Sequence, residues 1–421
     1  MKNDVFAKPG SSITCGEVLS DGRVIDLVAP TADEPLKLVV FNGERPLILS
    51  EAEHKQVRYV PPDLDRMTRN AIRFPAGVAE YGTIVTLLSK VMQLFNRCWG
   101  LSDECGMIVA LWVLSGWVPE RFLAPPILCI SCVSRELVMA LFRFFRALCR
   151  RAIAITRLSE ELLFVRPTLL VVDAELSEKA LASWRDSNYQ NVYVPKAGGS
   201  LRQLSSSKAL SSATGDFGWW GEEALNIVLL PDAMIPAEAD LEAIAAEFQP
   251  QFELCRLRHL QARAQPVTCQ WPAELSVSTL GRQFFRLLAD EPGSEALLLP
   301  LLEQQRQTTA ARRTLDPLAV IIEVIWMPSH QSELIPVSEV RDRVNALLRN
   351  RGEQLEYKVT EIGWKLRDLE LPRQRRAKRM VLRFSRELRK RIHGLAGQFG
   401  LTLTPVDGCP DCAAPVQVVE H

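Results

Sequence analysis

Residues 127–148 read Ile-Leu-Cys-Ile-Ser-Cys-Val-Ser-Arg-Glu-Leu-Val-Met-Ala-Leu-Phe-Arg-Phe-Phe-Arg-Ala-Leu. The first four are a short apolar run placed just after the break Pro125-Pro126, so Ile127–Ile130 reads as a buried strand. From Arg135 onward, Leu137, Leu141, Phe144, Phe145 and Leu148 recur at helical spacing, which predicts an amphipathic helix over Arg135–Leu148. Arg150-Arg151, just beyond it, suits the negative end of the helix dipole. The unit is strand, short turn, helix.

The alternation continues downstream, with strand-like runs at Ala152–Ile155, Leu169–Asp173, Asn191–Val194 and Asn226–Leu230. Apolar strands that alternate with helices imply an α/β fold with a parallel sheet covered on both faces. Lys196–Asp216, rich in Gly and Ser, reads as a loop. Ala237–Ala264 and Leu280–Thr309 read as helices that could form a lid.

Upstream, Ser12–Cys15, Arg23–Val28, Leu36–Phe41 and Leu47–Leu49 read as short strands turned at Asp21-Gly22 and Asn42-Gly43. Residues 83–118 read as two helices, one capped near Thr83 or Thr86 and one opened by Ser102-Asp103-Glu104. Toward the C-terminus, Val337, Val340, Val344 and Leu347 share a helix face, and Ile362, Leu366 and Leu369 share another. Met380–Phe384 follows as a strand, and Leu388, Ile392, Leu395 and Phe399 mark a last helix capped by Ser385. That order is close to a helix-turn-helix variant with a β wing. The expected divisions are a β-rich unit at 1–75, a helical lead-in at 76–126, an α/β core at 127–236, a helical lid at 237–313, a winged-helix-like basic domain at 314–400 and a tail at 401–421.

The strand–turn–helix at 127–148 is where a phosphate-binding loop would sit. Such a loop needs glycines that let backbone N–H groups converge on phosphate, a Lys for the β/γ oxygens and a Ser or Thr for magnesium. Aligned on the helix, Cys132 and Leu137 take the two glycine positions, Val138 the lysine and Met139 the hydroxyl residue. Each functional residue is missing. The run Leu169–Glu175 has the apolar-strand-plus-acid form of a magnesium-binding segment, with Asp173 as its acid and Glu175 one place later than a catalytic Glu. Together these six positions read as a vestigial nucleotide site with no cofactor. ATP and magnesium enter only in an alternative reading that uses Lys196 and Gly198-Gly199-Ser200.

The order of features resembles P-loop ATPases of the primase-helicase type carried by bacterial mobile elements. Trp112–Thr156, Arg166–Asp173 and Phe248-Gln249-Pro250-Gln251 carry the likeness, as does Gly363-Trp364-Lys365-Leu366-Arg367-Asp368-Leu369 before a basic turn. The resemblance covers roughly residues 80–400. It implies a RecA/AAA+-like core with a helical lid and a C-terminal winged helix, working on nucleic acid. The missing phosphate-loop residues take the nucleotide-driven part away.

Net charge is zero, yet residues 351–400 hold 14 Lys or Arg against 6 Asp or Glu, a local +8. The densest part is Arg373-Gln374-Arg375-Arg376-Ala377-Lys378-Arg379. With Lys365 and Arg367 on the preceding helix, Arg373, Arg375, Arg376, Lys378 and Arg379 form the expected DNA-binding set, acting through phosphate contacts. The bland alternative is a solvated basic turn; the rival function is a working ATPase or helicase of a mobile element with an unorthodox phosphate loop, and a third is a protein-interaction scaffold with protein partners or a homo-oligomer.

The ten cysteines are scattered, several in apolar runs, and Met1–Lys8 has no apolar core. Reduced thiols in the cytoplasm are therefore expected. The longest apolar stretch, Gly106–Val118, is short for a membrane span, so no membrane partner is expected. Cys129-Ile130-Ser131-Cys132 reads as core thiols. Cys409-Pro410-Asp411-Cys412 supplies half a zinc site, with His421 as the only evident third ligand, so no metal is expected there.

Overall fold

The structure is a computed structural model that describes residues 11–31, 34–155, 165–172, 188–189, 193–195, 201–203, 206–212, 224–229, 238–262, 279–288, 291, 294, 296–303, 316–353, 355–377, 379–399, 401 and 403–413. It divides into two compact units, Met1–Gln305 and Arg306–His421.

The first unit opens with two small sheets. One joins β2 (Glu17–Val18), β3 (Val24–Val28), β4 (Lys37–Phe41) and β5 (Leu47–Leu49) in antiparallel sequence order; the other joins β1 (Ser11–Ile13), β7 (Val57–Val60) and β6 (Ala52–His54). Gly22 and Gly43 take φ of 88° and 104° in the connections flanking β3 and β4, as their Asp-Gly and Asn-Gly contexts predicted. After α1 (Arg66–Ala71) come α2 (Ile84–Trp99) and α3 (Asp103–Trp117), whose caps Thr83 and Ser102 accept from the backbone N–H groups of Thr86 and Cys105. Every residue of α3 from Gly106 to Trp117 is buried, so this apolar stretch is a core helix. No helix among the described residues is long and apolar enough to cross a membrane.

The centre is a five-stranded, wholly parallel sheet in the order β14 (Ala224–Val228), β8 (Ile127–Ser131), β13 (Lys208–Ser212), β10 (Leu169–Val171), β9 (Ile153–Ile155). The α/β core expected from the sequence is therefore present. Helix α4 spans Arg135–Leu148, as its periodicity predicted, and packs with α5 (Glu238–Gln261). Helix α6 covers Thr279–Leu288.

Two expectations fail here. Strand β13 lies inside the segment read as a Gly/Ser-rich loop, and among the described residues Tyr193–Pro195 (β11) pairs with Leu201–Gln203 (β12), in a separate two-stranded sheet. β13 was hidden because Ser206, Ser207, Lys208 and Ser211 are polar, yet all four are buried. Lys208 Nζ donates to Asn188 Oδ1 at 2.6 Å and to the Ser206 carbonyl at 2.9 Å, which is how a buried cation is tolerated there.

Arg150 and Arg151 do not serve the α4 dipole. Cys149 caps the helix, and both arginines are 1 % exposed and turn toward Asp26 on β3, itself fully buried. Arg150 Nη2 donates to both Asp26 oxygens, Arg151 Nη2 donates to Oδ1, and Arg256 Nε on α5 donates to Oδ2. Arg256 also grips Glu120 with both terminal nitrogens, at 2.7 and 2.8 Å. One carboxylate thus joins the β-rich unit, the parallel-sheet core and the long helix.

The second unit runs α7 (Pro317–Gln331), β15 (Leu334–Pro336), α8 (Val337–Asn350), α9 (Val359–Asp368), β16 (Arg373–Arg376), β17 (Arg379–Arg383), α10 (Arg386–Gln398) and α11 (Pro410–Ala413). Its three strands form an antiparallel sheet in the order β15-β17-β16. Val340, Val344, Ile362, Leu366, Leu369 and Ile392 fill its core, on the faces their spacing predicted. Ser385 caps α10 through the Leu388 N–H. The strand expected at Met380–Phe384 is present as β17, at the centre of the sheet, and half of the basic turn is itself a strand.

Candidate functional site

Parallel α/β sheets bind ligands beyond the carboxyl ends of their strands, where neighbouring connections leave in opposite directions. Here the chain leaves β8 for β9 on one side and leaves β13 for β14 on the other. The crevice is therefore the β8–β13 pair, ending at Ser131 and Ser212. It is where the vestigial nucleotide site was expected.

Only Cys132, Val133 and Ser134 separate β8 from α4. The span that would wrap phosphate is already helix. The Ser134 hydroxyl accepts from the Leu137 N–H at 3.3 Å, and the Ser134 carbonyl accepts from the Val138 N–H at 3.2 Å. The Cys132 N–H donates across the crevice to the Ser212 carbonyl at 3.1 Å. Three backbone donors of a would-be anion nest are thus engaged within the protein. Cys132, Leu137 and Val138 are buried and Val138 is 2 % exposed, whereas Met139 faces outward. At the lysine position the structure places a core residue. Asp173 and Glu175, and the alternative loop with Lys196, Gly198, Gly199 and Ser200, lie outside the described residues.

The basic set lies in the second unit on α9 and the β16–β17 hairpin. Lys365 sets its ammonium over the Tyr357 ring at 5.1 Å, and Arg367 is exposed, 3.8 Å from Asp368. Arg373 lies against α9, where a Cβ on Gly363 would collide with its Nη1. Arg375, Arg376 and Arg379 are exposed and have no ion-pair partner among the described residues. Arg376 and Arg379 are directly opposed across the hairpin, joined through Ala377 at φ 44°. Like charges so placed repel. Lys378 lies outside the described residues. Trp364 on α9 is 58 % exposed, an aromatic face beside this charge that the sequence reading passed over.

In the tail, Cys409 and Cys412 meet two residues the sequence reading missed. His330 near the end of α7 and His393 in α10 complete a group whose four ligand atoms all lie within 4.8 Å of one another. His421 lies outside the described residues. Cys129 and Cys132 are buried free thiols.

No family model matches the chain, and no curated relative does. Among solved structures, it is similar to an active helicase, the SCCmec type IV Cch protein, at 10 % identity and a TM-score of 0.42, covering 86 % of this chain and 80 % of that one. It is also similar to the apo C-terminal region of NrS-1, at 9 % identity and a TM-score of 0.39, covering 86 % and 96 %. At such scores the likeness adds nothing to what the sheet order shows of the fold.

Proposed function

We propose that the chain is a DNA-binding protein built on a RecA/AAA+-like core that does not hydrolyse nucleotide, with the second unit acting as a winged helix. In this reading α8 and α9 are the helix-turn-helix, α9 faces DNA, and the β16–β17 hairpin is the wing. One observation carries the DNA half: Arg376 and Arg379 oppose each other with Arg375 beside them, exposed and without acidic partners among the described residues. A hairpin tip of that charge is relieved by a polyanion. Phosphate contacts by these arginines would give affinity without sequence choice. The core half is supported by the closed turn at Cys132–Ser134 and by Val138 in the hydrophobic core.

The test is DNA binding at several salt concentrations by the wild type and by the triple variant Arg375→Gln, Arg376→Gln, Arg379→Gln. Each phosphate contact contributes about 0.9 to the slope of log affinity against log salt, so the triple variant should flatten that slope by nearly three units. Equal slopes would leave the hairpin a solvated turn. In parallel, phosphate release at saturating ATP and magnesium should stay at background; turnover abolished by Asp173→Asn would mark a working ATPase.

A further inference from the structure

We propose that His330, His393, Cys409 and Cys412 form a structural zinc site that clamps the C-terminal tail onto the second unit. The proposal stands independently of DNA binding and of the state of the nucleotide crevice.

The geometry is that of one small tetrahedral centre. His330 Nε2 and His393 Nε2 are 3.0 Å apart, Cys409 Sγ is 3.6 Å from His393 Nε2, and Cys412 Sγ is 3.6 Å from His330 Nε2 and 3.9 Å from His393 Nε2. A zinc ion with Zn–N of about 2.0–2.1 Å and Zn–S of about 2.3 Å sets tetrahedral edges of about 3.4 Å between nitrogens and about 3.6 Å between nitrogen and sulfur. Two thiolates would neutralise the ion's charge inside a partly buried site. The mixed thiolate and imidazole set favours zinc over the hard cations that take oxygen ligands.

The surroundings are built for ligation. The Trp326 carbonyl lies 2.9 Å from His330 Nδ1, so that nitrogen carries the proton and Nε2 is left with its lone pair toward the cluster. The Trp326 ring packs against both imidazoles, with centroids 4.9 Å from His330 and 4.4 Å from His393. Its Nε1 donates to the Thr404 carbonyl at 2.9 Å, tying the same residue to the tail. Neither cysteine is in a disulfide. Gly408, at φ 77°, ends the turn that presents Cys409, whose N–H donates to the Val406 carbonyl.

The site explains why the tail returns. Beyond α10, Leu401, Leu403 and Cys412 pack on the core only as partly buried residues. A metal that joins α7 and α10 to residues 409–412 would supply the missing anchorage, with binding and tail folding coupled.

The test uses the full chain, purified under reducing conditions, incubated with zinc and dialysed. One zinc per chain is expected, and replacement by cobalt should give the intense visible bands of a tetrahedral thiolate site. Cys409→Ser with Cys412→Ser should remove the metal, and His330→Cys should retain it, because three cysteines and one histidine also hold zinc. Chelation should speed amide exchange over 401–413 while α8 and α9 stay protected. Background zinc in the wild type would overturn the proposal, as would an octahedral cobalt spectrum or a Cys409–Cys412 disulfide in place of metal. The cobalt spectrum needs no variant, so a variant that misfolds does not blur the result.

Discussion

Arg150 donates through one Nη2 to both oxygens of Asp26, at 3.1 and 3.0 Å, across 124 residues of chain. Burial would raise the Asp26 pKa, but the guanidiniums of Arg150, Arg151 and Arg256 outweigh it and hold the carboxyl well below the usual range. Removing the carboxylate leaves the buried Arg150 and Arg151 without the anion they share, while Arg256 keeps Glu120. Asp26→Ala should therefore destabilise the first unit by about 3–5 kcal/mol, read as a lower urea midpoint. A loss under about 1 kcal/mol would mean that the cluster relaxes without its anion.

Glu253, one turn from Arg256, titrates the other way. Burial first, and the Asp26 charge second, push its pKa up from 4.5 to about 8. Between those values the folded state binds the proton and the unfolded state does not. Stability from this group is complete below about pH 4.5 and falls as pH rises toward 8, by about 1.4 kcal/mol per unit at most. Glu253→Gln should flatten the pH dependence of the unfolding free energy across that window. An unchanged slope would show that Glu253 stays ionised.

Giving the β8–α4 turn the side chains of a phosphate loop should not make it one. Val138 is buried and its N–H is engaged in the first helical turn. Val138→Lys with Met139→Thr is expected to lower stability by about 3 kcal/mol through the buried ammonium, and to leave ATP affinity at background. Micromolar ATP binding by the double variant would mean that only the side chains had been lost.

The hairpin offers a substitution with opposite effects on stability and binding. Arg376→Glu places a carboxylate directly across from Arg379. It should raise the stability of the second unit by roughly 0.2–1 kcal/mol and weaken DNA binding. Parallel changes in both would point to a folding effect instead.

Trp364 should add a base-stacking contribution. Trp364→Ala is expected to weaken single-stranded DNA by roughly 1–3 kcal/mol, and Trp364→Phe to recover most of it. Unchanged affinity in Trp364→Ala would place the Trp364 ring outside the interface.

Features that depend on neighbours in sequence were legible without the fold. The helix Arg135–Leu148, the strand at its head, the caps Thr83, Ser102 and Ser385, and the turns at Gly22 and Gly43 follow from spacing, short-range hydrogen bonding and backbone freedom. The sequence also places Val138 and Met139 at the positions where a phosphate loop would carry Lys and a hydroxyl residue. The placement of β13, the Asp26 cluster and the His330–His393–Cys409–Cys412 group were not legible there. A serine-rich strand carries no apolar period, and its burial is decided by β8 and β10 on either side. Asp26 and Arg256 are 230 residues apart, and His330 and Cys412 are 82 apart. No periodicity links such residues. Their meeting is decided by how helices and sheets pack, which local propensity does not encode.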